Sequence, residues 1–341
     1  MPCRQRAAAT RPRQMSKIFI ARGLACVLAL AVLMFWQTAA APFAAVLPWE
    51  PKVEPTILFA GDIMLDRNVA RHAKANGPGA LFAGVLPLFK TDDANVANLE
   101  GAITTNPSIA QVDNTILHFT FDPALAEAAL APLNLAAVSI ANNHTYDFGR
   151  TGFDTTQEYL RGWGIKPFGH PYNARDLSTT LTIRDKQVCL VGYHSLYDAG
   201  TAEVVAEIVA LRPACYRIVV FPHWGDEYEP VANAQQVASA HEFIDAGADL
   251  IIGAHPHVVQ NVEVYRGRAI FYSLGNFMFD QNFSWETTHG LVVKVSFGED
   301  AMGFEMTPIT IKGQEATISN EPDSARVLEA TGRLAQWSLP W

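Results

Sequence analysis

Five short apolar runs in this 341-residue chain end in polar residues that ligate metals: Asp62, Glu100, Asn143-His144, His223, and His255 with His257. Carboxylates, an amide oxygen and imidazoles are the donor set for Zn, Mn, Fe or similar divalent ions. One Asp after a strand often only caps the next helix, and one His is often structural, so the group is more specific than its members. The segment Gly253-Ala254-His255-Pro256-His257 is the most telling, with two imidazoles two positions apart straight after a buried run. Such a set would serve metal-assisted hydrolysis, in which an ion acidifies water and polarises a substrate oxygen. No Gly-x-Ser-x-Gly elbow and no Walker loop is present, which argues against serine-hydrolase and nucleoside-triphosphate chemistry.

Residues so far apart in sequence need rigid strand ends to bring them together. Short apolar runs at 56–60, 94–99, 136–140, 216–221 and 250–252 read as buried strands. Helical patterns lie between them at 64–76, 81–90, 153–163, 202–211 and 234–246. Asp122-Pro123 marks a capped helix start, and Gly247 a helix end. Residues 181–184 and 187–193 read as a hairpin. Strands follow at 262–265, 269–273, 291–297, 304–311 and 316–318, and a last helix covers 324–336. Alternating β and α implies largely parallel strands. In open α/β sheets, ligands sit outside the carboxyl ends of such strands, where the loops converge.

The formal net charge of −9 averages two unlike parts. Residues 1–40 hold six basic residues and no acid, leaving 19 basic against 34 acidic residues in the remainder. An acidic body argues against nucleic-acid binding, which needs clustered Lys and Arg. The uninterrupted apolar stretch 23–36, with basic residues before it and Thr38-Ala39-Ala40-Ala41 after it, has the layout of a secretory signal. The alternative is an uncleaved N-terminal membrane anchor. In both cases the body is exported, to the periplasmic or cell-surface side. Residues 41–55 are Pro-rich and read as a linker, with one domain over 56–320 and a C-terminal helix over 321–341. Cys189 and Cys215 lie in apolar runs and read as two buried thiols, although an exported compartment also permits a disulfide.

The five site segments, in their order, resemble those of the calcineurin-like metallophosphoesterases. Their local wording is closer to the bacterial capsule-synthesis proteins of the CapA type, which serve poly-γ-glutamate synthesis and export. The matching words are Gly61-Asp62-Ile63-Met64, Asn98-Leu99-Glu100-Gly101, Ala141-Asn142-Asn143-His144 with Asp147, His223-Trp224-Gly225 with Glu227-Tyr228, Gly253-Ala254-His255-Pro256-His257, and Tyr272-Ser273-Leu274-Gly275-Asn276-Phe277. The resemblance implies an α/β fold, a four-layer αββα sandwich, with the site at the sheet ends. Asp62 and His257 would bind one metal, Glu100 would bridge two, and Asn143, His223 and His255 would bind the second. His144 would be the catalytic acid, with Asp147 orienting it. Arg150, Glu227 and Asn276 are expected to meet the substrate.

Three departures from the phosphoesterase pattern set further expectations. Met64 stands where an imidazole is usual, Glu100 where Asp is usual, and Thr145 follows the catalytic His where an acid is usual. The expected cofactor is therefore divalent Mn, Zn or Fe, with one tighter site and a second, weaker one. Expected partners are an anionic polymer or phosphoester substrate and a membrane synthase-export complex. The rival expectation is a non-catalytic polymer-binding subunit of that complex.

Overall fold

The computed structural model describes residues 54–110, 116–197 and 200–340. The segments read as signal or anchor, and nearly all of the Pro-rich linker, lie outside the described residues. The strands are β1 (Thr56–Ile63), β2 (Ala94–Leu99), β3 (Ala102–Ile103), β4 (Thr120–Phe121), β5 (Leu135–Ser139), β6 (Lys166–Phe168), β7 (Ser178–Ile183), β8 (Lys186–His194) and β9 (Arg217–His223). They continue as β10 (Leu250–Ile252), β11 (Val262–Tyr265), β12 (Arg268–Phe271), β13 (Asn276–Met278), β14 (His289–Phe297), β15 (Ala301–Lys312), β16 (Glu315–Ile318) and β17 (Gln336–Pro340). The α-helices are α1 (Arg67–Asn76), α2 (Pro123–Leu130), α3 (Gly149–Gly162), α4 (Ala202–Leu211), α5 (Ala234–Ala246) and α6 (Asp323–Thr331).

Among the described residues, a nine-stranded sheet runs β16-β15-β14-β1-β2-β5-β6, with β13 added beside β1 and β17 beside β15. A six-stranded sheet runs β11-β12-β10-β9-β8-β7. Side chains alternate faces along a strand, and this alternation builds the layers. Ile57 and Phe59 of β1 pack with Leu190, Val219, Phe221 and Ile252 in a cluster drawn from both sheets. Their neighbours Leu58 and Ala60 face a second cluster with Val69 of α1, Leu125 of α2 and Phe153 of α3. On the far side of the six-stranded sheet, Val191, Val220 and Ile251 pack with Ile208 of α4 and Phe243 of α5. Three apolar interfaces between four layers make an αββα sandwich. Each fully buried Val, Leu, Ile or Phe contributes roughly 1.5–3 kcal/mol relative to exposure, so these interfaces make a rigid base for the strand ends.

Local signals explain most element ends. The Asp122 carboxylate accepts from the Leu125 amide and opens α2, as its N-cap position predicts. Asn233 and Gln236 form a reciprocal capping box at α5, and Gly247 in the left-handed region closes it. Two readings are corrected. The stretch 81–90 is not one helix but parts of two 3-10 turns, Pro78–Phe82 and Leu88–Lys90, interrupted around Pro87. The expected C-terminal helix over 321–341 covers only α6, because Gly332 (φ +67°) stops it. The chain then returns as β17, pairing antiparallel with β15.

Cys189 and Cys215 form a disulfide, which corrects the reading as free thiols. The bond joins β8 to the residue preceding the start of β9 by two, with Cα atoms 5.9 Å apart. Both residues are buried under α4 and α5. Closing a 26-residue separation removes denatured-state entropy worth about 3.5 kcal/mol. Reduction should lower the urea midpoint accordingly; an unchanged midpoint on full reduction would show that the bond does not stabilise the fold.

Candidate metal centre

The parallel strands of both sheets end at one place. In the first sheet, Asp62 pairs in register with Asn98 of β2 and with Asn276 of β13, so three polar side chains stand in a row. In the second sheet, His194 of β8 stands beside His223 of β9. The two rows are tied together. Asn98 Nδ2 donates to Asp62 Oδ1 at 2.8 Å and lies 3.2 Å from His223 Nδ1. The His255 amide donates to Asp62 Oδ2 at 3.2 Å. His255 and His257 both have positive φ, 97° and 60°, in the turn that follows β10. Strained backbone of this kind persists where surrounding structure fixes it; here the turn aims two imidazoles into one centre.

Two groups of donor atoms result. Asp62, Glu100 and His257 place one ligand atom each within 4.8 Å of the others, and all three are buried. His257 Nδ1 is 3.4 Å from Asp62 Oδ2, and its Nε2 is 3.7 Å from Glu100 Oε1. The second group is a chain of close contacts: His223 Nε2 lies 2.8 Å from Asn143 Oδ1 and 3.1 Å from His255 Nδ1. Both Glu100 carboxylate oxygens are buried and without a hydrogen-bond partner. A buried carboxylate is ordinarily paired or coordinated, because desolvating it alone is costly. The orphaned Glu100 oxygens, flanked by imidazoles and Asp62, fit a divalent cation.

The electrostatics agree. Burial raises the Glu100 pKa well above the usual carboxylate range, with Asp62, Glu227 and Asp147 adding to the rise and His257 opposing it. Burial pulls His257 down, but Glu100 and Asp62 outweigh it and raise it to about 9. Two carboxylates buried together make a field that favours any cation, whether a proton on His257 or a metal ion. His223 and His255 are pushed well below their usual value by burial and by neighbouring imidazoles. They are neutral near pH 7, the form that binds metal.

His144 sits at the rim of this group, buried, with Nε2 3.9 Å from Glu100 Oε1. Its Nδ1 is 2.8 Å from Asp147 Oδ2, and that oxygen also accepts from the Phe119 amide at 2.7 Å. Asp147 thus stands in the orienting position that Thr145 vacates; Thr145 instead hydrogen-bonds Ile140 O and Asn142 Oδ1. Asn276 is fully buried, and its Oδ1 lies 3.0 Å from His257 Nδ1. Glu227 is brought close to His255 and His257. Arg150 is not brought to the centre: its exposed side chain pairs with Asp154 on α3. Arg67 is buried, ion-paired with Asp280, and its guanidinium carbon lies 5.0 Å from the Phe119 ring centroid.

Sequence reasoning missed three contributors. Asn98 is one, since its role depends on a register between strands. Phe119, whose ring centroid lies 4.2 Å from that of His144, carries no motif at all. His194 ends β8 at the same sheet edge as His223, and its Nδ1 lies 2.7 Å from Pro171 O. Its position after an apolar run is the signal that would have found it.

These residues fall within a stretch that matches known proteins. The family model described as bacterial capsule synthesis protein PGA_cap matches residues 56–281. The PGA biosynthesis protein CapA of Bacillus subtilis (strain 168) is 31% identical over 277 residues, covering 76% of this chain and 72% of that protein. The capsule biosynthesis protein CapA of Bacillus anthracis is 28% identical over 315 residues, covering 83% and 75%. Among solved structures, a hypothetical protein from Thermus thermophilus aligns over 84% of this chain and 99% of that one, at 12% identity and a TM-score of 0.45. The matched stretch holds every centre residue from Asp62 to Asn276, and on that match the chain belongs to the bacterial capsule synthesis protein PGA_cap family.

Proposed function

We propose that this capsule-biosynthesis family member is a metal-dependent hydrolase that acts on an anionic polymer such as poly-γ-glutamate, or on a phosphoester, on the exported side of the membrane. The single observation that carries the reading is Glu100: a carboxylate with both oxygens buried and without a hydrogen-bond partner, its Oε1 3.7 Å from His257 Nε2 and 3.9 Å from His144 Nε2. Glu100, Asn143, His223 and His255 would hold the tighter cation, and Asp62, Glu100 and His257 the looser one, with Mn, Zn or Fe as candidates. Bound divalent ions supply acidified water and polarisation of a substrate oxygen.

The chain's own residues supply the rest. Asp147 fixes the His144 ring through Nδ1, which leaves Nε2 to hold and deliver a proton to the leaving group. Phe119 packs beside the ring, backed edge-on by Phe279, and the pair keeps water from that side. Basic side chains contribute little, since Arg67 is paired and Arg150 points elsewhere. A cavity of about 190 Å³ lined by Ser195, Trp224, Asp226 and Asn233 also lacks a cation of its own. Neutralising an anionic substrate therefore falls to the metal ions.

The test is hydrolysis of poly-γ-glutamate and a panel of phosphoesters with Mn or Zn added. His144→Ala should lower kcat by about 10²–10⁴-fold while cation binding is kept. His255→Ala should lose both. The second reading, a non-catalytic subunit of a membrane synthase-export complex, is favoured by Met64 in the place of an imidazole. Polymer binding without hydrolysis of any substrate would establish it and sink the first.

A further inference from the structure

The first motif supplies no imidazole, because position 64 is Met. Its side chain is fully buried in the outer core, and its sulfur accepts from the Asp66 amide at 3.0 Å. A thioether so engaged is a poor donor for a hard divalent ion. The loop after β9 offers another donor. Glu227, His255 and His257 each place a ligand atom within 4.8 Å of the others, with Glu227 exposed above two buried imidazoles.

The loop that carries Glu227 is fastened on two sides. The Tyr228 amide donates to the carbonyl of Pro256, the residue between the two histidines, at 2.8 Å. Gln281 donates to the Tyr228 hydroxyl at 3.2 Å, and the Tyr228 ring packs edge-on against Phe283. Tyr228 itself has φ +67°, and Gly225 has φ +89°. A Cβ at Gly225 would press into the Gln236 side chain, so this turn is open to glycine alone. Glu227 is therefore held beside the His255-Pro256-His257 turn by fixed backbone, with its carboxylate hydrogen-bonded to the Tyr228 side chain.

We propose that Glu227 is a cation ligand, completing the site built on Asp62, Glu100 and His257 in the place the first motif leaves to Met64. The inference rests on the reading of the centre as a divalent-metal site. It adds a specific consequence. With three carboxylates and one imidazole the looser site is oxygen-rich, which favours Mn over Zn relative to the imidazole-rich tighter site.

Mn titration of the chelator-stripped full chain, followed by the electron paramagnetic resonance signal of free Mn, tests this. The wild type should bind in two steps. Glu227→Gln should weaken the looser step by at least the roughly 10–100-fold that loss of an outer-shell partner costs, and leave the tighter step unchanged. Glu229→Gln removes the same charge from an exposed position two residues on, and should match the wild type. Unchanged binding by Glu227→Gln overturns the proposal, as does equal weakening by both variants, which would indicate a field effect rather than ligation. A wild-type chain that binds no Mn would instead overturn the metal reading on which the proposal rests.

Discussion

Glu100→Gln should leave the metal-free protein at least as stable as the wild type and abolish its stabilisation by metal. The two effects have one cause. In the wild type both carboxylate oxygens are buried without a hydrogen-bond partner, and burial holds the pKa well above the ordinary range. An unpaired buried charge, or the proton uptake that relieves it, lowers stability. The amide keeps the shape and removes the charge, so a folding burden is lifted. The same change removes the carboxylate that the proposal places against the bound cations. A ligand at a hundred times its Kd stabilises the folded state by about 2.7 kcal/mol, a shift of several degrees in Tm for a domain of this size. Thermal unfolding with and without Mn or Zn checks both halves. The wild type should shift and the variant should not. A variant that shifts equally, or that unfolds at much lower temperature without metal, would mean that Glu100 is structural.

Gly61→Ala should be among the most destabilising single substitutions in the chain. A Cβ at Gly61 would lie 1.9 Å from the Gly275 carbonyl oxygen, and one at Gly253 would lie 2.0 Å from that of Tyr272. Neither obstacle is a flexible side-chain tip; each is backbone of a neighbouring strand end. Overpacking commonly costs about 1–3 kcal/mol, and a clash with fixed backbone belongs at or above the top of that range. The consequence is functional as well, because Gly61 precedes Asp62 and Gly253 lies two residues before His255. Strands that cannot approach cannot bring Asp62 and His255 together. Gly79 is the control, since a Cβ there meets nothing within 4 Å and its φ is not in the left-handed region. Gly79→Ala should be neutral or slightly stabilising. Urea denaturation of the three proteins checks this; equal stability of Gly61→Ala and wild type would show that the strands have room to separate.

The sheet interior was legible because its signal is local. The run 94–99 is the strand β2, and 250–252 is β10, residue for residue: the second is wholly apolar, and the first is an apolar run broken only by Asn95 and Asn98. Edge strands were harder. β7 begins at Ser178, three residues before the apolar part of the hairpin, because Ser178, Thr179 and Thr180 are only half-buried and carry no hydrophobic pattern. β17 is held by pairing with β15, a partner distant in sequence, and its own alternation is weak. The disulfide was missed for the same reason: the lateral placement of β8 against the approach to β9 decides it, and no residue in either run reports that placement.

At the centre, residue types gave the chemistry and topology gave the roles. His255 and His257 announce themselves by spacing. Asn276 reads as a substrate contact, and its Oδ1 lies 3.0 Å from His257 Nδ1; Asn98 joins Asp62 to His223 only once the two sheets are stacked. Arg150 is expected to meet the substrate, yet its exposed side chain on α3 pairs with Asp154 one turn on. Glu227 reads as a pocket acid, and its nearness to two imidazoles depends on a turn at Tyr228 with φ in the left-handed region.

The most direct test is anomalous scattering from crystals of the full chain grown with Mn. The expected result is a peak within about 2.0–2.2 Å of a Glu100 carboxylate oxygen, with His223 and His255, or Asp62 and His257, completing its surroundings. Fully ordered Glu100 oxygens with no peak beside them at millimolar Mn would contradict the account.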